Sequence, residues 1–317
     1  MRNLIFLMAL FLAFSIFIGL NAADRDKLLK AALEGVKVSK NLEYAKTDGK
    51  PLLLDLFVPE DAKGKLPLIV WIHGGGWVEG NKENPPALIF LKKGYAVASI
   101  NYRLAPQAIF PAQIQDCKAS IRFLRANAAK YNIDPDRIGV WGGSAGGHLV
   151  ALLGVTGDAK DLEGNGGNAG VSSKVQAVCD FFGPTDFTKI KELRMSADPK
   201  IEQKLKDLKL DSDNNVLAKL LGGPIDKNTE KAEQASPVWY LKSLKSDKKD
   251  YPPFLIMHGD KDPVVPVEQS VEFNDALKAA GLDSTLRVYK GAGHGNLGGD
   301  SMKMVEDFFE KNLKKAN

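Results

Sequence analysis

The sequence is poor in the residues that build disulfide scaffolds and metal centres. It has two cysteines and four histidines in 317 residues. Two cysteines cannot form a dense disulfide framework, and no spacing of Cys and His is typical of a zinc site. Cys117 and Cys179 fall on a predicted helix and a predicted strand with apolar neighbours, which favours buried free thiols over a disulfide. We therefore predict no metal.

A large excess of charge of one sign is also missing. The chain has 43 basic and 39 acidic residues, which gives a formal net charge of +4. The lysines at 311–315 fit a solvated helix end, so the sequence offers little support for a nucleic-acid partner. A hydrophobic fraction of 44% and a charged fraction of 26% are ordinary for a globular protein, and no internal repeat is visible.

Only one long apolar run is present, and it lies at the N-terminus. Met1-Arg2-Asn3 precedes the run Leu4 to Leu20, and small residues follow at Ala22 and Ala23. This order is typical of an export signal, so we predict a signal peptide over 1–23 and a periplasmic or extracellular protein. An uncleaved anchor is the alternative, because the run is slightly long. Cleavage would leave no stable membrane contact.

The rest of the chain alternates strand and helix patterns, which predicts a single α/β domain over 24–317 with a mostly parallel sheet of about eight strands and helices on both faces. A hairpin opens it, and Asn132 to Asp136 is predicted as a break before the strand that reaches Trp141. The predicted strands are Val36–Tyr44, Leu52–Val58, Leu66–Ile72, Tyr95–Ile100, Ile138–Trp141, Val175–Phe182, Pro253–His258 and Ser284–Tyr289. The predicted helices are Asp24–Gly35, Pro85–Leu91, Pro111–Lys130, Leu149–Leu153, Val267–Ala280 and Asp300–Lys315.

One segment departs from this alternation. Asp186 to Gln234 is charged, rich in lysine and without a clear strand. Apolar residues at helical spacing, such as Leu205 and Leu208 and then Leu217 and Leu220, favour a helical insertion or cap; a flexible surface insertion is the alternative.

A Gly-x-Ser-x-Gly motif carries the chemistry that we expect of the chain. Ser144 lies between an apolar strand and a helix-compatible run, with Gly142 and Gly146 on either side. Such an elbow exposes a serine hydroxyl as a nucleophile, and the N–H of Ala145 at the start of the helix can bind an oxyanion.

A serine nucleophile requires a base and an acid. His294 lies in a glycine-flanked loop after the last strand, so we predict it as the base, whereas His148 lies one turn beyond Ser144 on the same helix and is expected to be structural or to line the pocket. Asp260 and Asp262 both follow a strand at its carboxyl end. Asp262 lies further out on the loop and is favoured as the acid, with Asp260 bonding the amides of its own turn.

Three glycines after a buried strand offer backbone donors to the oxyanion. They are Gly74, Gly75 and Gly76, between His73 and Trp77. We assign the oxyanion hole to Gly74, Gly75 and Ala145, although the sequence leaves open which of the three glycines points inward.

Seven short motifs occur in order along the chain: His73-Gly-Gly-Gly-Trp77, Asn101-Tyr-Arg-Leu-Ala-Pro106, Phe110-Pro-Ala112, Asp134-Pro-Asp-Arg-Ile138, Gly142-Gly-Ser-Ala-Gly-Gly-His148, His258-Gly-Asp-Lys-Asp-Pro-Val-Val-Pro266 and Gly293-His-Gly295. Together they resemble an α/β-hydrolase serine esterase over roughly Leu52 to Phe309. Within that superfamily the chain resembles the hormone-sensitive-lipase-like esterases and the bacterial acetylxylan and feruloyl esterases.

The resemblance implies the triad Ser144, Asp262 and His294, and it implies that Arg103 is a buried structural cation. Gly143 stands where many hormone-sensitive-lipase-like enzymes have an acidic residue, which shifts the resemblance toward carbohydrate esterases or kynurenine formamidases. We expect a serine carboxylesterase without cofactor that acts on small or aromatic acyl esters, with acetyl or feruloyl esters of xylan as substrates. An arylformamidase or exopeptidase is the alternative, and a non-catalytic binding protein a remote one.

Overall fold

The computed structural model describes residues 29–190, 215–244, 247–295 and 297–314. Eight strands in these ranges form one sheet. The strands are β1 Val36–Thr47, β2 Lys50–Pro59, β3 Leu66–Ile72, β4 Ala96–Ile100, β5 Ile133–Gly143, β6 Ala177–Phe181, β7 Phe254–Gly259 and β8 Ser284–Tyr289. Their order across the sheet is β1-β2-β4-β3-β5-β6-β7-β8. The pairs β1/β2 and β2/β4 are antiparallel and the others are parallel, which confirms the predicted mostly parallel sheet.

Helices cover both faces of this sheet. Along β3, Leu68 and Val70 pack into one core with the helices that follow β4, β5 and β7, whereas Ile69 and Trp71 pack into a second core with the last helix. Successive strand residues face opposite sides, so a continuous apolar strand is buried on both. The helices are α1 Ala112–Ala126, α2 Ala145–Val155, α3 Val216–Leu221, α4 Thr229–Ala235, α5 Pro237–Tyr240, α6 Val267–Ala279 and α7 Ser301–Leu313. Short 3₁₀ helices occur at Pro86–Lys93, Lys160–Leu162, Ile225–Lys227, Leu241–Ser243 and Lys248–Asp250.

Two elements differ from the sequence predictions. The connection predicted as an ordinary helix over Pro85–Leu91 is a 3₁₀ helix over Pro86–Lys93. The elbow strand β5 begins at Ile133, inside the predicted break. Leu66 pairs with Ile133 and Leu68 with Ile138, so the residues between bulge out of the ladder. Since proline has no N–H to donate, a bulge accommodates Pro135 without ending the strand.

The described residues test the remaining segments in part. Residues 29–33 are helical, within the predicted leading helix. In the predicted insertion, 191–214 lies outside the described residues, and the helical spacing that begins at Val216 is confirmed by α3. The Oδ1 atom of Asn215 caps α3 by accepting from the Ala218 N–H at 2.9 Å, and Gly222 ends it with a positive φ of 84°. The predicted signal segment 1–23 also lies outside the described residues.

A buried lysine holds the loop of residues 156–173, which follows α2. The side chain of Lys118 on α1 is fully buried. Its Nζ donates to the Thr156 carbonyl oxygen at 2.7 Å, to Glu163 Oε1 at 2.7 Å and to Ser173 Oγ at 3.2 Å. Three N–H donors therefore meet three acceptors, which compensates the burial of the charge.

Other residues singled out in the sequence have structural positions. Arg103 donates through Nε and an Nη to the two carboxylate oxygens of Asp116 at 2.8 and 2.7 Å. Its side chain is 27% exposed, so this structural cation is only partly buried. Cys117 and Cys179 are both buried and free.

Candidate functional site

Ser144 occupies a strained turn between β5 and α2. Its backbone has φ 57° and ψ −121°, a region that residues with a side chain rarely adopt. The Ser144 N–H donates to the Phe181 carbonyl oxygen at 2.8 Å, which ties the turn to the neighbouring strand β6. A Cβ atom at Gly146 would lie 2.1 Å from the Ile72 carbonyl oxygen. A larger residue at that position would therefore push the helix away from β3 and dismantle the elbow.

His294 reaches the serine from the loop that follows β8. Its Nε2 lies 2.9 Å from Ser144 Oγ. The ring of buried Phe182 packs against the imidazole with a centroid distance of 4.6 Å. Asp260 holds the same loop, because its Oδ1 accepts from the Gly291 N–H at 2.6 Å. The carboxylate of Asp260 thus bonds the histidine loop, whereas the sequence predicted bonds within its own turn.

Asp262 completes a chain of three side chains. Its Oδ2 lies 2.6 Å from His294 Nδ1, and its Oδ1 accepts from the N–H groups of Val264 and Val265 at 2.8 and 2.9 Å. Burial alone would raise the pKa of the Asp262 carboxyl. The positive charge of His294 and hydrogen bonds from His258 and His294 outweigh burial and hold that pKa well below its usual value. Asp262 is therefore ionised, and His294 Nε2 is left to accept from the serine hydroxyl.

The structure thus brings together the three predicted side chains. It also distinguishes the two candidate carboxylates, since Asp262 contacts His294 whereas Asp260 bonds the backbone of Gly291.

Backbone donors of the predicted oxyanion hole lie beside the serine. A Cβ atom at Gly74 would be 3.5 Å from the Ser144 Cβ and only 2.8 Å from the Gly143 carbonyl oxygen, so this loop approaches the elbow closely. Within the described ranges, the N–H groups of Gly74, Gly75 and Ala145 make no hydrogen bond. Ala145 is the first residue of α2, where an N–H has no partner inside its own helix. Gly74 and Ala145 thus offer N–H groups next to Ser144 for a developing negative charge.

Gly76 faces the described part of the insertion. A Cβ atom built on Gly76 would lie 3.1 Å from a methyl group of Val216, the first residue of α3. Residues of the insertion therefore pack against the glycine loop. The sequence offered no signal for this contact, because it joins segments that are distant in the chain.

Two other histidines, His73 and His148, pack beside the site and are neutral at neutral pH. The His73 ring stacks on Tyr102 at 4.3 Å, and its Nδ1–H donates to the Gly74 carbonyl oxygen at 2.7 Å. His148 accepts from Trp77 Nε1 at 3.1 Å and donates from Nε2 to the Ala235 carbonyl oxygen at 2.7 Å. Burial lowers the pKa of each imidazole to about 4. His148 is structural, one of the two roles that the sequence predicted for it. Tyr102 of the Tyr-Arg-Leu-Ala-Pro motif packs against His73, which begins the glycine loop.

No group of three or more His, Cys, Asp or Glu side chains in the described ranges could hold a metal ion. None of the helices in the described part of the chain is long and apolar enough to cross a membrane.

The sheet order, the strained elbow after β5 and the helices on both faces define an α/β-hydrolase fold. The family model for BD-FAE matches residues 54–277. The chain belongs to the BD-FAE family.

Relatives of known name agree with this membership. The chain is 34% identical over 239 residues to the esterase LipQ of Mycobacterium tuberculosis, covering 74% of this chain and 51% of LipQ. It is 28% identical over 248 residues to the isoprenylcysteine alpha-carbonyl methylesterase ICME of Arabidopsis thaliana, covering 77% of this chain and 54% of ICME. The chain thus spans about half the length of these curated relatives. A solved structure of a truncated carbohydrate esterase from gut microbiota has 35% identity and a TM-score of 0.75, covering 88% of this chain and 97% of that one.

Proposed function

We propose that the protein is a serine carboxylesterase in which Ser144 is the nucleophile, His294 the base and Asp262 the acid. The observation that carries the proposal is the unbroken chain of contacts from Asp262 Oδ2 through the His294 imidazole to Ser144 Oγ. A hydroxyl bonded to a neutral imidazole that is oriented by a carboxylate is the arrangement that activates a serine.

In the proposed reaction, Ser144 Oγ attacks the ester carbonyl carbon while His294 Nε2 takes the hydroxyl proton. The carbonyl oxygen becomes an oxyanion and accepts from the N–H groups of Gly74, Gly75 and Ala145. When the C–O bond to the alcohol breaks, His294 returns its proton to the departing alkoxide and leaves an acyl group on Ser144. A water molecule then attacks the acyl carbon while His294 takes a proton from it, and His294 returns that proton to Ser144 Oγ as the bond to the acyl group breaks and the acid departs.

Throughout these steps Asp262 stabilises the imidazolium that forms on His294. The low pKa of the carboxyl, set by the His294 charge and its hydrogen bonds despite burial, keeps it ionised over the physiological pH range. No step requires a metal or an organic cofactor.

For the substrate, we propose acyl esters of carbohydrate, with acetyl or feruloyl groups on xylan as the first candidates. The support is the likeness to a carbohydrate esterase at 35% identity that extends over 97% of that chain. Two curated relatives are named as esterases, which supports an ester as the substrate but does not identify its alcohol group.

Specificity constants for acetylated xylan, methyl ferulate and N-formylkynurenine test this choice, with the Ser144→Ala variant as the blank. We expect turnover of one or both carbohydrate-type esters and little turnover of the formamide. A preference for N-formylkynurenine would overturn the carbohydrate-ester proposal and favour an arylformamidase.

We also propose export, on the strength of the signal pattern at 1–23. N-terminal sequencing of protein recovered from the periplasm or medium tests it, and a mature chain beginning near Asp24 is expected. Recovery of the full-length chain only from the cytosol would contradict the proposal.

A further inference from the structure

A buried histidine outside the proposed triad contacts its acid. His258 is the penultimate residue of β7 and its ring is fully buried. Its Nε2 lies 2.9 Å from the Val265 carbonyl oxygen and 3.2 Å from Asp262 Oδ2, and its Nδ1 lies 2.6 Å from Ser270 Oγ.

The partners of Nε2 require a hydrogen on that nitrogen. The Val265 carbonyl oxygen and the ionised Asp262 carboxylate can only accept, so Nε2 of His258 carries a hydrogen that is shared between them. The Ser270 hydroxyl lies 2.6 Å from Nδ1 and holds the opposite side of the ring. The Nε2–H of His258 therefore donates to Asp262, while Ser270 orients the ring from its other nitrogen.

We infer that His258, oriented by Ser270, is a positioning residue that sets the orientation and charge of Asp262 for its work on His294. The inference rests on the proposed function, because it concerns the same triad. It assigns a role to two side chains that touch neither the serine nor the ester.

The geometry gives His258 two effects. Oδ1 of Asp262 is fixed by two backbone N–H groups, whereas Oδ2 receives only side-chain donors, from His258 and His294. Loss of the His258 donor would leave a lone pair of Oδ2 unsatisfied in a buried site and loosen the carboxylate. The remaining negative charge would also act more strongly on the His294 imidazolium and make the base harder to deprotonate.

Charged and polar groups from several elements surround His258. Asp180 on β6 acts electrostatically on His258, and Asp262 and His294 face it from their loops. Ser270 on α6 and the Phe182 ring, at a centroid distance of 6.2 Å, are uncharged. Replacing His258 with an amide leaves each of these groups in place.

Two amide variants test the inference as a matched pair. In His258→Gln the amide nitrogen reaches about the position of Nε2, whereas in His258→Asn it reaches only about that of Nδ1. We expect His258→Asn to lower kcat for p-nitrophenyl acetate by about 10- to 100-fold with KM within about threefold, since supporting hydrogen bonds of this kind carry effects of that size. The acid limb of kcat/KM should move to higher pH. His258→Gln should restore most of kcat and the wild-type pH profile.

Ser270→Ala provides a variant with the least change in packing. It keeps the ring and removes the group that orients it, so we expect a two- to tenfold loss of kcat, an unchanged KM and a smaller shift of the acid limb in the same direction. Thermal unfolding of each variant separates loss of fold from loss of orientation, and Ser270→Ala decides alone if His258→Asn does not fold.

The inference is overturned if folded His258→Asn and His258→Gln behave alike, or if Ser270→Ala and His258→Asn both retain the wild-type kcat and pH profile. These outcomes are distinct from a failure of the proposed function, in which the wild-type protein itself would neither hydrolyse the ester nor react with a fluorophosphonate.

Discussion

Ser144 Oγ and His294 Nε2 lie 2.9 Å apart although 150 residues separate them in the chain. The sheet explains the approach, because β5 and β8 end at the same edge and their loops meet there. Each loop is also held locally, the elbow by the bond from Ser144 N–H to Phe181 and the histidine loop by Asp260. Both reacting groups are thus positioned before any substrate binds.

The two candidate acids provide the first prediction. Asp262→Asn removes the negative charge that stabilises the His294 imidazolium, so we expect kcat for p-nitrophenyl acetate to fall by about 10³- to 10⁴-fold with little change in KM. Asp260→Asn keeps an oxygen that can accept from the Gly291 N–H, and activity within a few-fold of wild type is expected. Steady-state kinetics of both variants measures this. The reverse order of losses would mean that Asp260 is the acid.

The second prediction concerns the glycine loop. In Gly74→Ala the new methyl would lie 2.8 Å from the Gly143 carbonyl oxygen, so the loop must move away from the serine. Displacing an oxyanion donor costs about 10²-fold in kcat or more. In the control Gly64→Ala the methyl meets nothing within 4 Å. Full activity of folded Gly74→Ala would show that this loop does not bind the oxyanion.

The third prediction concerns Lys118, the buried cation that holds the loop 156–173. Lys118→Met leaves Glu163, Ser173 and the Thr156 carbonyl oxygen without their shared donor. Glu163 is 30% exposed and keeps its ion pair with Arg122, so the loss comes from the buried acceptors that lose their donor and costs about 1–3 kcal/mol of unfolding free energy. Urea denaturation measures the loss, and the exposed Lys63→Met should change stability by less than about 0.5 kcal/mol. Equal stability of the two variants would contradict the structural role of Lys118.

The fourth prediction concerns Asp180 on β6. Burial raises the pKa of the Asp180 carboxyl to about 6, above its value of about 3.9 in an unfolded chain. Between these values the folded protein binds a proton that the unfolded chain has released. The stabilising contribution of Asp180 is therefore present in full below about pH 4 and is lost as the pH rises through 6.

Asp180→Asn cannot ionise and still accepts from the Gly183 N–H, which lies 2.9 Å from Oδ1. We expect the unfolding free energy of this variant, relative to wild type, to increase by about 2–3 kcal/mol between pH 4 and pH 7. Urea denaturation at both pH values measures the difference, with exposed Asp61→Asn as the control. A pH-independent difference would contradict the proposed burial effect.

Strong local patterns made much of the fold predictable. The continuous apolar run Leu66–Ile72 is β3 without change, and the turn after Thr47 closes the predicted hairpin. The site residues were predictable for a related reason, since glycine-flanked loops and elbows mark Ser144 and His294 directly in sequence. A strand start within Asn132–Asp136 was missed because a proline normally interrupts a ladder, and only the pairing register reveals the bulge.

Contacts that depend on the three-dimensional path of the chain could not be predicted from the sequence. His258 and Asp262 are four positions apart in the chain, but their hydrogen bond depends on how the loop between them turns. The same holds for Val216 against Gly76, where a helix of the insertion meets the glycine loop. Periodicity defines a helix and its apolar face, and it carries no information about which distant loop that face will meet.

Covalent labelling measures the nucleophilicity of Ser144. The protein is incubated with a fluorophosphonate, digested, and the modified peptide is identified by mass spectrometry. We predict one adduct per chain on the Ser144 hydroxyl, formed rapidly in the wild type and lost in His294→Ala and Ser144→Ala. An unlabelled wild-type protein, or a label on another residue, would show that Ser144 is not the nucleophile.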